Sequence, residues 1–185
     1  MLKIGIILGS TRPGRVGEVV ARWVAEVASQ RDDADFPLID VAEAGLPLLD
    51  EETPPMGRRY TQQHTKDWSA AIADLDSFVF VTPEYNHSMP ASLKNAIDFL
   101  HYEWHNKAAG FVSYGAASGL RAVEHLRLVL AELKVATVRA QVSLNSYTDF
   151  EEFTTVKPTE RLVAELNGMI DEVVEWGEAL RPLRR

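Results

Sequence analysis

The 185-residue sequence contains no cysteine. Disulfides, thiolate metal sites, cysteine-ligated clusters and cysteine nucleophiles are therefore excluded. The composition fits a reducing compartment. Positive charge is scarce: 19 Lys and Arg stand against 27 Asp and Glu, a formal net charge of −8. That balance lacks the basic footprint of a general nucleic-acid binder. Long apolar runs are also missing. No segment approaches the roughly 20 apolar residues of a membrane-spanning helix. The apolar start Leu2–Leu8 is too short, and wrongly flanked, for a signal peptide. The expectation is a cytoplasmic protein with no membrane or nucleic-acid partner. No repeat, low-complexity tract or linker interrupts the chain. With 46% apolar and 25% charged residues, residues 1–185 are expected to form one domain whose core needs no staples.

What is present is an alternation of two patterns. Short apolar runs begin at Leu2, near Phe36, at Ser77, at Ala108 and near Val135. Between them, apolar residues recur at helical spacing: Val16, Val20, Trp23 and Val27; Trp68, Ile72 and Leu75; Leu93, Ile97 and Leu100; Val123, Leu126 and Leu130; then Leu162, Leu166, Met169 and Val173. The run at residues 77–82, SFVFVT, is apolar on both faces, as in a covered parallel sheet. Strand then helix, five times over, predicts a three-layer α/β/α sandwich with a five-stranded parallel sheet and right-handed crossovers. Ligands of such sheets bind beyond the carboxyl ends of the strands. Residues 42–59 have no clear period and read either as a lid or as a solvated connection.

The first strand ends in Gly9-Ser10-Thr11-Arg12-Pro13-Gly14-Arg15-Val16-Gly17. Hydroxyls, guanidinium groups and flexible glycines thus meet the free N–H groups of a helix start, a natural anion site. A P-loop would need Lys then Ser or Thr after Gly14, where Arg15 and Val16 stand; a dinucleotide fingerprint would need glycine at Thr11. A site for one terminal phosphate remains, against the plainer reading of a tight turn with solvated arginines. The third strand runs into Thr82-Pro83-Glu84-Tyr85-Asn86-His87-Ser88-Met89-Pro90. Two prolines stiffen this loop so that its backbone and Tyr85 can face a planar heterocycle, with Asn86 as donor and acceptor.

The run of residues 83–98, PEYNHSMPASLKNAID, resembles the signature of the NADPH-dependent FMN reductases, which include flavodoxin-like quinone, azo-dye and chromate reductases. Gly9-Ser10-x-Arg12 matches that family's phosphate loop. Tyr114 to Gly119 with Arg121, His125 and Arg127 matches its third loop. The resemblance extends over about residues 2–142. It implies a flavodoxin-like fold, non-covalent FMN, and NADPH or NADH as co-substrate. It sets Ser10, Arg12, Arg15, Val16 and Gly17 around the phosphate, Pro83, Glu84, Tyr85 and Asn86 along the isoalloxazine, and Gly115 and Ser118 near the ring or ribityl chain. It also implies a homodimer or homotetramer.

The implied activity is hydride transfer from NADPH through FMN to a small acceptor: a quinone, free flavin, azo dye or metal oxyanion. Such chemistry belongs to the cofactor, and no catalytic acid, base or metal ligand of the protein is assigned. The competing readings are an electron carrier or FMN-binding module without hydride turnover, and a phosphate-ligand binding protein that has lost flavin. The arginine-bearing first loop favours the reductase. His101 and His105 lie four apart but lack the H-E-x-x-H pattern and a third ligand. His87 is read either as a contact of nicotinamide or acceptor or as a solvent-facing residue. Trp104 is read as a subunit contact or as core, Trp23 and Trp68 as core, and the C-terminal RPLRR as a solvated tail.

Overall fold

A computed structural model describes residues 1–152 and 154–184. Strand β1 (Leu2–Leu8) is followed by helix α1 (Gly17–Ala28) and by two short strands, β2 (Ala34–Asp35) and β3 (Leu38–Asp40). Then come α2 (Gln63–Ala73), β4 (Ser77–Pro83), α3 (Ala91–Asp98), β5 (Ala108–Gly115) and α4 (Leu120–Glu132). The chain closes with β6 (Ala136–Thr137), β7 (Val142–Asn145), a small hairpin β8 (Phe150–Glu151) and β9 (Thr155–Val156), and the long α5 (Glu160–Leu180).

All ladders of the main sheet are parallel. Its strands occupy five lanes, in the order β2/β3, β1, β4, β5, β6/β7. That is the doubly wound flavodoxin-like arrangement, and the order reverses between β1 and β4. The two outer lanes are broken. Pro37 has no N–H to donate, so the ladder splits there, while its carbonyl accepts the Ile6 N–H at 2.8 Å. The fifth lane splits around residues 138–141: β6 falls in the apolar stretch that begins near Val135, and pairing resumes at β7, which starts where that stretch ends.

Alternation along the strands divides the core in two. Leu2, Ile4, Ile6 and Leu8 of β1, with Val79 and Val81 of β4, face α1 and α5. Phe78, Phe80 and Phe111 face α2, α3 and α4. Period-2 side-chain placement sends consecutive apolar residues into opposite cores, which is why both faces of β4 are apolar. Gly110 lets α5 press onto β5, since a Cβ there would lie 2.0 Å from the Met169 sulfur.

These contacts settle the open reading of Trp104, correct that of the C-terminal segment and add tethers to residues 42–59. Trp104 is fully buried, donates its indole N–H to the Ile97 carbonyl at 3.1 Å and packs against Phe78, so it is core and not a subunit contact. The C-terminal segment is not a wholly solvated tail: Arg181, Pro182 and Leu183 are exposed, but Arg184 folds back onto the body. That guanidinium is largely buried and bonds Asp76 Oδ1 at 2.7 Å and the Asp76 carbonyl at 3.1 Å; Arg185 lies outside the described residues. Residues 42–59 are stitched down. The Asn95 amide bonds the Pro47 carbonyl (2.7 Å) and the Leu49 N–H (3.0 Å), and Glu51 accepts the N–H groups of Thr61 and Gln62.

Candidate active site

The carboxyl ends of β1, β4 and β5 meet at the point of reversal, and a cleft of about 180 Å³ opens there. Its first wall follows β1. The Gly9 N–H bonds the Val81 carbonyl (3.0 Å), and the Ser92 hydroxyl bonds the Gly9 carbonyl (2.9 Å), so both flanking elements clamp the start of the loop. Ser10 is fully buried, its Oγ 3.3 Å from the Tyr114 hydroxyl. Gly17 opens α1 directly above that pair. A Cβ at Gly17 would sit 2.5 Å from Ser10 Oγ and 2.6 Å from Tyr114 Oη, so only glycine lets the helix start this close. No side chain caps α1. Its free N–H groups and dipole are left for an anion.

The two arginines of this loop part company. Arg12 has no carboxylate partner among the described residues; its guanidinium lies 5.7 Å from the centroid of Tyr85 and lines the cleft. Arg15 does not line the cleft. It is held by both carboxylate oxygens of Asp40, by Glu18 at 3.1 Å and by the Ser10 carbonyl, and so ties the loop to β3. Sequence alone treats the two as equivalent because Asp40 is 25 residues away.

The second wall is the loop after β4. Tyr85 and Ser88 exchange backbone hydrogen bonds of 2.9 and 3.1 Å around Asn86 (φ 47°) and His87 (φ 75°), a two-residue type I′ turn. Positive φ at a non-glycine such as His87 is uncommon and fixes the turn in an unusual shape. His87 Nδ1 lies 3.1 Å from an Arg121 guanidinium nitrogen. Glu84 points away from open solvent: its carboxylate pairs with the Arg121 guanidinium and accepts the Arg121 N–H at 3.1 Å in the first turn of α4. It therefore anchors this loop to α4, while its N–H bonds the Tyr114 carbonyl at 3.1 Å.

The third wall is the loop after β5. Gly115 adopts φ 154° and Gly119 φ 71°, and Ser118 (φ 56°) closes a turn onto the Gly115 carbonyl at 2.9 Å. Burial pushes the Tyr114 phenol up to about 12. It therefore stays protonated at neutral pH and can donate a hydrogen bond.

Six of the eleven residues expected at the site line the cleft together: Arg12, Val16, Pro83, Glu84, Tyr85 and Gly115. Ser10 and Gly17 form the support beneath it. Asn86 and Ser118 shape turns beside it, and Arg15 is turned away. Tyr114, Ser146 and Phe150 line it without having been expected. Tyr114 sits in the third motif, but as a strand residue it reads as core. Ser146 and Phe150 follow β7, and nothing in their local sequence announces a ligand. No residue of 42–59 lines the cleft.

An uncapped helix start, a buried hydroxyl and a guanidinium without a carboxylate suit a terminal phosphate. A stiff loop bearing Tyr85, facing Gly115 and Phe150, suits a flat ring. The donor set therefore fits FMN. The sequence model of the NADPH-dependent FMN reductases matches residues 2–149. An NAD(P)H-dependent FMN reductase of Schizosaccharomyces pombe is 36% identical over 99% of this chain and 86% of its own length. A 2-hydroxy-1,4-benzoquinone reductase of a Burkholderia species is 35% identical over 72% of this chain and 73% of its own. The solved structure of FerB, a flavoenzyme NAD(P)H:acceptor oxidoreductase of Paracoccus denitrificans, superposes with a TM-score of 0.77 at 20% identity, covering 97% of this chain and 98% of that one. With its fold, its cleft and these relatives in agreement, the chain belongs to the family of NADPH-dependent FMN reductases.

Proposed function

We propose that the cleft holds FMN with its phosphate at the start of α1 and its ring against residues 83–85, and that a small-molecule acceptor, a quinone foremost, is reduced there. The protein is an NAD(P)H-dependent FMN oxidoreductase. Bound FMN supplies acceptance and donation of hydride. The chain's own work is binding and orientation. Ser10, the N–H groups of Val16 and Gly17 and the Arg12 guanidinium would hold the phosphate. Arg15 would keep that loop in place through Asp40. The type I′ turn at Asn86–His87 would fix Tyr85, and the Glu84–Arg121 pair would lock the turn to α4. The Tyr114 hydroxyl, protonated at neutral pH, would donate to Ser10 or to the ligand. Quinone as acceptor is supported by the relatives named quinone reductases.

The observation that carries this reading is the convergence of an uncapped helix start, Ser10, Arg12 and Tyr85 on one cleft. Residues 1–185 act in it as one domain. Cytoplasmic location and a homodimer or homotetramer complete the proposal. Leu120 and Leu128 of α4 and Leu48 and Met56 of the neighbouring loop leave apolar surface exposed, which supports subunit contact. The test is the visible spectrum of FMN-reconstituted protein, taken anaerobically before and after one equivalent of NADPH. Prompt bleaching of the flavin bands is expected. Bound flavin that stays yellow with both NADPH and NADH would favour an electron carrier instead.

A further inference from the structure

Phe150 lines the cleft from one residue beyond the stretch that matches the family. It faces the Tyr85 loop, and three observations place it at the phosphate end. Its ring centroid is 6.5 Å from that of Tyr114. The Tyr114 hydroxyl in turn lies 3.3 Å from Ser10 Oγ and 2.6 Å from where a Cβ of Gly17 would be, so Tyr114 spans from Phe150 to the start of α1. Val156, the partner of Phe150 across the β8–β9 hairpin, is buried in the same core as Val20 and Val24, and β9 packs against α1.

The backbone that presents Phe150 is tied on every side. Asn145 is the hub. Its N–H donates to Asp149 Oδ2 (2.7 Å), its carbonyl accepts the Asp149 N–H (3.0 Å), and its side-chain amide donates to the Ala116 carbonyl (3.1 Å) in the third wall. The Ser146 N–H bonds the Gly115 carbonyl (3.0 Å), and the Lys157 N–H bonds the Asp149 carbonyl (2.8 Å). Asp149 also faces Arg161, in the first turn of α5, at 3.8 Å. Phe150 itself is only 4% exposed although it borders an open cleft. Packing and supporting hydrogen bonds of this kind hold a side chain in one position.

We propose that Phe150 sets the flavin specificity of the cleft: it closes the space beyond the phosphate position, so that only a flavin ending in a phosphate monoester is admitted. The inference rests on the reading that FMN binds with its phosphate at the start of α1. In FAD the same phosphate carries a second phosphate and an adenosine, so the ligand must continue past the helix start. There it meets the Phe150 ring and the hairpin behind it. Admitting it means lifting a buried aromatic side chain out of its core, which gives up the burial of a large apolar surface. FMN makes no such demand and gains an apolar contact instead.

Isothermal titration of the flavin-free protein with FMN and with FAD tests the assignment. The wild type is expected to bind FMN at least about 100-fold more tightly than FAD. Phe150→Ala should gain affinity for FAD while losing affinity for FMN, so that the ratio falls by at least about tenfold. A lesion of folding alone would weaken both flavins together and could not create affinity for FAD. Phe150→Leu keeps an apolar side chain in the core and should give an intermediate ratio; should Phe150→Ala not fold, Phe150→Leu decides. Equal affinity of the wild type for both flavins, or a ratio that the substitutions leave unchanged, would overturn the role of Phe150. Uptake of neither flavin by the wild type would instead overturn the FMN reading itself, so the two failures are distinguishable.

Discussion

Arg12 and Arg15 lie three positions apart, yet the fold gives them different partners. Arg15 is mostly buried against Asp40, whose side chain is also largely covered. Removing one member of such a pair leaves the other charge without compensation. Arg15→Met is therefore expected to lower the stability of the flavin-free protein by about 1–3 kcal/mol, read from urea unfolding. Arg12, without a carboxylate, contributes little to that number. Arg12→Ala should instead weaken FMN binding by about 1.5–3 kcal/mol, measured by flavin fluorescence titration. The reverse pattern would exchange their roles. Glu84 shows the same lesson. Its place in the motif suggests the ring, but its carboxylate caps and pairs with the start of α4.

Among the elements, β5 and α5 approach so closely that Gly110 has no room for a side chain. Gly110→Ala should cost about 1–3 kcal/mol through overpacking against Met169. In a Met169→Ala background that cost should shrink, because the atom in the way is gone; a double-mutant cycle by chemical denaturation measures the coupling. Strict additivity would mean that α5 yields at no cost. The strands and helices themselves were legible, since alternation and helical spacing are written in consecutive residues. SFVFVT announced β4, and Val20 and Trp23 announced the inner face of α1. The break at Pro37, the displacement of the fifth lane to β7 and the hairpin of β8 and β9 were not legible. Two-residue strands have no periodicity to detect, and they exist only where another segment of the chain offers partners.

For the whole molecule, Lys107 gives stability a pH dependence. Burial, and then the nearby Arg184, lower its ammonium from the usual 10.5 to about 8. Between those values the unfolded chain binds more protons than the folded one, so this group makes stability rise with pH from about 8. The penalty is fully present below 8 and relieved as pH approaches 10.5. A shift of that size corresponds to roughly 3–4 kcal/mol. Tyr114, raised to about 12, acts in the opposite sense, retaining its proton when folded, so stability is lost above pH 10. Urea unfolding at pH 7.5–10 should show wild type gaining on Lys107→Met as pH rises. Parallel profiles would mean that the ammonium is well solvated after all.

Local information in the sequence determined the alternation of strands and helices, the place of the two loops at the carboxyl ends of β1 and β4, and the family motif that marks them. These depend on residues within a turn or two of one another. Only the tertiary structure decided which arginine remained available, that Trp104 is core, that Arg184 closes onto Asp76, and that Tyr114, Ser146 and Phe150 complete the cleft. Each of those depends on contact between segments far apart in sequence. Charge pairing and burial are properties of what the fold brings within a few ångströms, and no run of neighbouring residues records them.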